Sequence, residues 1–425
     1  EWYIPGTPTP PEPEQPDWFK ESIVAWYSPY CKQKLTNYDV IEAYVEDFTN
    51  WNYVKARGVA TISQHKFIIT ECILKGLSIV EDIQEPYSNL TVRIIGITDN
   101  QEVLITDYVN GQHQIINTIT EDGIYTIEDR HHFVGFGCNF VGTCNITIEQ
   151  LPTSILKDLS GNKHDAYLYG FKGKLNSGVG IYAQDFKNWG YGSTINKDIS
   201  TKSYNKFHIV KKKADNWFGF TIGIPKNNYY NQSYKLKFNI NKKIDDIKFS
   251  IVSTDGNLIT TAAYSVYITD GSIIDVPIIS EEIFNNKEET NIYYDFGTNK
   301  DIEIDVELIA NYPNQLCYDG KSYAITYGLP ILTDYTVIAD RTWFAEKVDN
   351  GVFMSKALEQ NGAFILEYKQ GDRWNTYSYY SATNINIDKD NSIVYQTKNK
   401  YNEQTIYPGD KQDTDTLFIG TIRKD

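Results

Sequence analysis

Along Ile302-Glu303-Ile304-Asp305-Val306-Glu307, apolar and polar side chains alternate one for one, and Leu90 to Ile97 follows a similar pattern. A period of two marks a strand with one face buried, and no stretch sustains the i, i+3, i+4, i+7 stripe of an amphipathic helix. Short β-branched and aromatic runs recur from Ser22 onward. They are punctuated by Asn110-Gly111, Asp122-Gly123, Asp255-Gly256, Asp270-Gly271, Asp319-Gly320 and Asn361-Gly362. Such pairs accept the positive φ that two-residue hairpin turns demand. The chain is therefore expected to be all-β, with helix limited to stray turns such as Val40 to Tyr44.

At 425 residues, about three folded units are expected. An internal repeat organises two of them. Asp47-Phe48-Thr49-Asn50-Trp51 returns as Asp185-Phe186-Lys187-Asn188-Trp189. Each copy opens a stretch with an alternating strand (Leu90 to Ile97; Leu236 to Ile240), passes an Asp-Gly turn and closes with a strand ending near Pro152 or Pro313. The landmarks keep their order while their spacing drifts, as when loops lengthen between homologous strands. This predicts two Ig-like β-sandwiches, at 44–152 and 185–313.

Six of the fourteen prolines lie in the first seventeen residues, so 1–21 reads as an extended spacer. The chain begins at Glu1 and its one methionine is Met354, so sequence upstream is expected. Cys31, Cys72, Cys138, Cys144 and Cys317 are odd in number and mostly far apart, which suggests neither a disulfide framework nor a zinc site. A net charge of -15 opposes nucleic acid and anionic lipid, and no apolar run approaches a membrane span.

Outside the repeats, Ile155-Leu156-Lys157-Asp158-Leu159-Ser160-Gly161-Asn162-Lys163-His164-Asp165-Ala166-Tyr167-Leu168-Tyr169-Gly170 resembles the D-x-S-G-N-x-x-x-A/G-x-x-Y-G motif of laminin-G-like, concanavalin A-like jelly rolls. Ile23-Val24-Ala25-Trp26-Tyr27 is similar to the strand preceding it there. Leu316 to Ile325 and Leu332 to Ala339 are similar to the elements that follow. The resemblance implies a discontinuous jelly roll of 22–43, 153–184 and 314–425, with one sandwich lodged in each gap. Insertion into a surface loop costs little once its ends are close. The motif also makes local sense: Asp158 and Ser160 can cap a tight turn, and Gly161-Asn162 supplies positive φ. In that family further closing strands follow the stretch matching Leu417-Phe418-Ile419-Gly420, which implies either that those strands belong to a longer gene product or that a neighbouring subunit covers an open edge.

The inserted architecture, the Trp26-Tyr27-Ser28-Pro29-Tyr30-Cys31-Lys32-Gln33 phrase and Leu35-Thr36-Asn37 also resemble large virion proteins of phages infecting gut Bacteroidota, of the crAss-like kind. That likeness implies a head or tail fibre or decoration protein. Its expected partners are other virion subunits, in a homo-oligomer with trimers favoured, and host-surface polysaccharide. A secreted or cell-surface bacterial glycan-binding protein is the alternative.

Four constellations invite chemistry. Glu303, Asp305 and Glu307 spell the E-x-D-x-E of a retaining glycoside hydrolase family. A flat strand would hold the outer pair ~13 Å apart, however, against the ~5 Å that a retaining mechanism needs. They are read as a solvated acidic face, and no enzyme activity is expected. Asp129 with His131-His132, and His164 with Asp165, lack metal-ligand spacing and read as loop residues. The jelly-roll resemblance admits structural calcium at Asp158, Asn162 and Asp319, with no other cofactor expected. For binding, the aromatics Trp217, Phe218, Tyr229, Tyr230, Trp374, Tyr377, Tyr379 and Tyr380 suit stacking on sugar rings, or equally core and subunit packing. The Gly371-Asp372-Arg373-Trp374-Asn375-Thr376-Tyr377 hairpin is the favoured glycan patch. The sequons at Asn89, Asn145 and Asn231 carry no meaning in a bacterially made protein.

Overall fold

The computed structural model describes residues 23–27, 40–82, 88–128, 130, 134–173, 177–191, 200–211, 220–240, 247–253, 265–281, 284, 291–297, 300–313 and 315–330. Beyond residue 330 it describes the backbone of the strands named below. Nearly all regular structure is β, arranged in several antiparallel sheets, with short 3-10 turns at Phe48–Asn50, Phe186–Asn188 and Lys226–Asn228. The class is that of β-sandwiches and jelly rolls. Val40 to Tyr44 makes no helical turn. Its backbone is engaged laterally instead, with Ala43 O accepting from Thr153 N at 2.8 Å.

The chain divides into two compact units, one of 1–35, 41–170 and 322–425, the other of 36–40 and 171–321. The first unit contains a sandwich of two five-stranded sheets. One sheet runs Gly58–Ile62, Lys66–Cys72, Gly142–Gln150, Leu90–Ile95, Gly123–Ile127. The other runs Asn52–Tyr53, Ser78–Glu81, Val134–Cys138, Val103–Val109, Gln112–Ile119. The second unit repeats this order strand for strand. Its sheets are Thr201–Lys202, Lys206–Lys211, Ile302–Leu308, Tyr234–Ile240, Ile273–Val276, and Gly190–Tyr191, Phe220–Pro225, Asn291–Gly297, Ile247–Ser253, Ser265–Ile268.

The repeated pentapeptide explains how each sandwich begins. Asp47 Oδ1 accepts from Thr49 N at 3.0 Å and Asp185 Oδ1 from Lys187 N at 3.1 Å, so each Asp caps a single 3-10 turn. The turn drops Phe48 or Phe186 into the core and brings Trp51 or Trp189 round beside it, at ring-centroid distances of 5.0 and 4.5 Å. Phe67 and Phe207 pack against the same phenylalanines at 5.1 and 4.8 Å. The Asp-Gly turns correspond too: Asp122 Oδ1 accepts from Ile97 N and Asp270 Oδ1 from Ile240 N, at 2.9 and 2.8 Å. At Asn110-Gly111 both residues have positive φ, 53° and 81°, closing the hairpin between Val103–Val109 and Gln112–Ile119.

Cys72 and Cys138 are joined by a disulfide, against the sequence expectation. Sixty-six positions separate them in the chain, but their strands lie in the two facing sheets and end together, with Cα atoms 6.5 Å apart. Cys144 and Cys317 form no disulfide with each other or with that pair.

The first unit also gathers strands from both ends of the chain. Ile23–Tyr27 pairs with Leu417–Gly420, which pairs with Thr336–Arg341, followed by Ser392–Thr397 and Gln404–Ile406. Leu417–Gly420 thus lies between two strands, Ile23–Tyr27 and Thr336–Arg341. Gly351–Lys356, Phe364–Lys369, Arg373–Ser378 and Ser381–Asn386 form a four-stranded sheet, and Ile155–Leu156, Ala166–Tyr169 and Tyr323–Thr326 a three-stranded one.

Candidate functional site

The Asp158 motif is a clip between chain segments. Asp158 Oδ1 accepts from Trp26 N and Ser160 N, both at 2.9 Å, and Oδ2 from Ser160 Oγ at 2.8 Å and His164 N at 3.0 Å. Asn162 Nδ2 donates to Ile23 O at 2.7 Å and Val24 O at 3.0 Å. Tyr27 Oη reaches His164 O at 2.5 Å and Thr326 Oγ1 at 2.8 Å. A carboxylate offers about four lone-pair positions, and here four protein donors hold them. Asp158 therefore has a use that calcium would have to displace. Asp319, the third calcium candidate, belongs to the second unit and accepts from its own Lys321 N at 2.9 Å. Among the described residues no three His, Cys, Asp or Glu side chains group as a metal site. His164 and Asp165 serve the clip, Asp165 Oδ1 accepting from Asp158 N at 2.9 Å. Asp129, His131 and His132 lie outside the described residues.

Glu303, Asp305 and Glu307 share the outer face of Ile302–Leu308, whose Ile302, Ile304, Val306 and Leu308 fill the core. The neighbouring strand answers them with His208 and Lys206. His208 Nδ1 stands 2.9 Å from Asp305 Oδ1, its Nε2 3.5 Å from Glu303 Oε1, and Lys206 Nζ 3.4 Å from Asp305 Oδ2. Across the sheet Lys206 sets a positive charge against Asp305, and the His208 ring nitrogens face Asp305 and Glu303.

The favoured hairpin is in part a strand. Arg373, Trp374 and Tyr377 fall on Arg373–Ser378, where Trp374 pairs with Tyr368 on one side and Ile385 on the other. Their side chains, and Asp372, Tyr379 and Trp217 altogether, lie outside the described residues. Tyr230 is exposed, but Tyr229 is a core residue, its hydroxyl 3.0 Å from that of Tyr234.

The described residues do contain a cavity of about 590 Å³, lined by Glu42, Tyr44, Val45, Glu46, Asp47, Gln64 and His65. The Tyr44 ring stacks on His65 with centroids 3.6 Å apart and planes within 10°. Each acid around it is held in place. Glu42 Oε1 accepts from the Tyr44 hydroxyl and Oε2 from Gly170 N at 2.7 Å. Glu46 faces Arg130 Nη1 at 2.8 Å and accepts from Trp51 Nε1 at 3.4 Å. Gln150 fixes the backbone beneath, accepting from Val45 N and Glu46 N and donating to Glu46 O, all at 2.8 Å. Thr49 bonds hold the exposed Asp47 carboxyl below its usual pKa, whereas burial, and next the bond to Glu42, push the Tyr44 phenol up.

Further tyrosines continue the surface. Glu149 and Tyr323 lie within electrostatic reach of the Tyr44 phenol. Tyr323, 51% exposed, stacks on Tyr169 at 5.3 Å and 12°. The Tyr169 hydroxyl stands 3.1 Å from that of Tyr327, and Arg93, 3.7 Å from Glu149, lies 4.7 Å over the Tyr327 ring. Sequence reasoning missed this group because Tyr44, His65, Glu149 and Tyr323 share no motif; the fold alone brings them together.

No family model matches this chain, and neither does any curated protein. Among solved structures it is similar to the N-terminal CBM22-1-CBM22-2 tandem domain of Xyn10C from Paenibacillus barcinonensis. That likeness has a TM-score of 0.20 and 7% identity, over 64% of this chain and 97% of the other. A superposition that loose carries no argument about what this chain binds.

Proposed function

We propose that this chain is a non-catalytic attachment protein that binds host-surface polysaccharide, displayed on a phage virion as part of a head or tail fibre or decoration. The observation that carries the glycan reading is the Tyr44–His65 stack beside an open cavity edged with Glu42, Glu46, Asp47 and Gln64. Aromatic faces receive the C–H face of a sugar ring, and fixed carboxylates and amides accept and donate to its hydroxyls. Tyr323, open on one side, extends that surface.

The virion setting and its partners, other subunits in a homo-oligomer that fibre geometry would make trimeric, rest on the resemblance of the sequence. So does a jelly roll of 22–43, 153–184 and 314–425 hosting sandwiches 44–152 and 185–313. The bond from Trp26 to Asp158 and the pairing of Ile23–Tyr27 with Leu417–Gly420 support that arrangement.

A second reading is a secreted or cell-surface bacterial glycan-binding protein; the Cys72–Cys138 disulfide suits it and the virion setting alike, since such bonds persist on both kinds of surface. The gene's full reading frame separates the two: a secretory or lipoprotein signal in it favours the second, a virion-docking segment the first.

Glycan-array binding by the purified chain tests the common core. Binding that is lost in Tyr44→Ala and weakened in Tyr323→Ala is expected, with Trp374→Ala reporting on the hairpin. No binding to any surface polysaccharide would leave only a scaffold role.

A further inference from the structure

One end of the first sandwich is apolar where an acidic protein has little reason to be. Ile73, Leu74, Leu77 and Val141 stand 47, 52, 38 and 63% exposed on adjoining loops. Backbone bonds tie these loops together: Ile73 N to Arg57 O at 2.9 Å, Gly76 N to Cys138 O at 2.9 Å and Asn139 N to Glu102 O at 3.0 Å. Clustered exposed apolar side chains of this size mark contact surfaces.

The charges around the patch are divided by side. Lys55, Arg57 and Lys75 lie on the loops at 54–57 and 73–77, with Glu71 on the adjoining strand. Past Val141, across the 97–102 and 120–122 loops, come Asp99, Glu121 and Asp122. A surface with an apolar centre, one cationic flank and one acidic flank complements itself under a two-fold rotation, which sets each flank against its opposite.

We infer that this tip is a self-association surface whose occupant is the same tip of a second copy, in an isologous contact. With a net charge of -15, two copies repel over most of their surfaces, and the tip is where cations and an apolar centre offset that repulsion. The four apolar residues make a small interface, so the contact is weak and depends on concentration.

Sedimentation velocity on the full chain, over a concentration series at low and high salt, tests this. The expected result is a concentration-dependent doubling of mass. Leu74→Ser with Val141→Ser should weaken it at least about tenfold. Lys75→Glu and Asp99→Lys should each weaken it, and the two together should restore most of it. These side chains are solvent-exposed, and circular dichroism of each variant verifies the fold. Constant monomer mass at every concentration overturns the inference. So does an oligomer of any size that is indifferent to all of these changes.

Discussion

The backbone N–H of Trp26 donates to Oδ1 of Asp158, 132 positions further on, at 2.9 Å. The same carboxylate takes three more bonds within its own loop, so one side chain both shapes a turn and holds the first described strand against it. Asp158→Ala leaves several half-buried donors unpaired and should cost roughly 2 kcal/mol, with Asp158→Asn intermediate, as read from denaturant melts. With the four acceptor positions already filled, adding calcium or a chelator should leave the melting temperature unchanged. A rise of several degrees with calcium would support a calcium site there instead.

Phe48 and Phe186 do the same work in the two sandwiches, so truncating either should be equally damaging. Each Phe→Ala variant removes a fully buried ring from between an indole and a second phenylalanine, which should destabilise by about 3–5 kcal/mol. Calorimetry should show the altered sandwich melting first. A loss below 1 kcal/mol in either would contradict the packing.

The disulfide distinguishes the sister modules. A cross-link spanning 66 positions should stabilise the first sandwich by about 4 kcal/mol through the entropy of its unfolded state. Reduction should lower its melting temperature, leave the second sandwich unaffected and reveal two additional thiols on titration in denaturant. An unchanged thiol count would remove the bond.

Burial, with Asp165 and Tyr327 nearby, pushes the Tyr167 phenol from its ordinary 10.0 up to about 12. A pKa raised by folding means that the folded state holds the proton more tightly. The stability this contributes is complete below pH 10 and lost as pH climbs through about 12. Stability should therefore be flat in this respect at neutral pH and fall across that alkaline window, with a shallower fall in Tyr167→Phe. Identical slopes in the two proteins would show that Tyr167 is not the source.

How much of this was legible follows from the range of each interaction. The alternation in Ile302–Leu308 is local and reads directly as a strand with one buried face. The pentapeptides at Asp47 and Asp185 carry their own cap and aromatic pair, so the repeat survives in the sequence. The clip was half visible: Asp158 and Ser160 announce a turn, but nothing in them names Trp26 as the partner. The cavity was invisible, since Tyr44 and His65 meet only when the strand at Lys66–Cys72 folds back past the 3-10 turn. For Tyr229 the sequence leaves sugar stacking and core packing both open, because the packing partner that decides it, Tyr234, is recognisable as such only in the folded sandwich. Cys72 and Cys138 were obscured by distance, and only their places at the ends of strands in facing sheets reveal the pair.

Hydrogen exchange at the Trp26 amide tests most directly whether segments so far apart in the chain close into one body. The account predicts strong protection in the intact protein, lost in Asp158→Ala while the amides of Phe67 and Phe207 stay protected in their sandwich cores. Exchange of the Trp26 amide at the rate of an unstructured peptide, already in the unaltered chain, would contradict it.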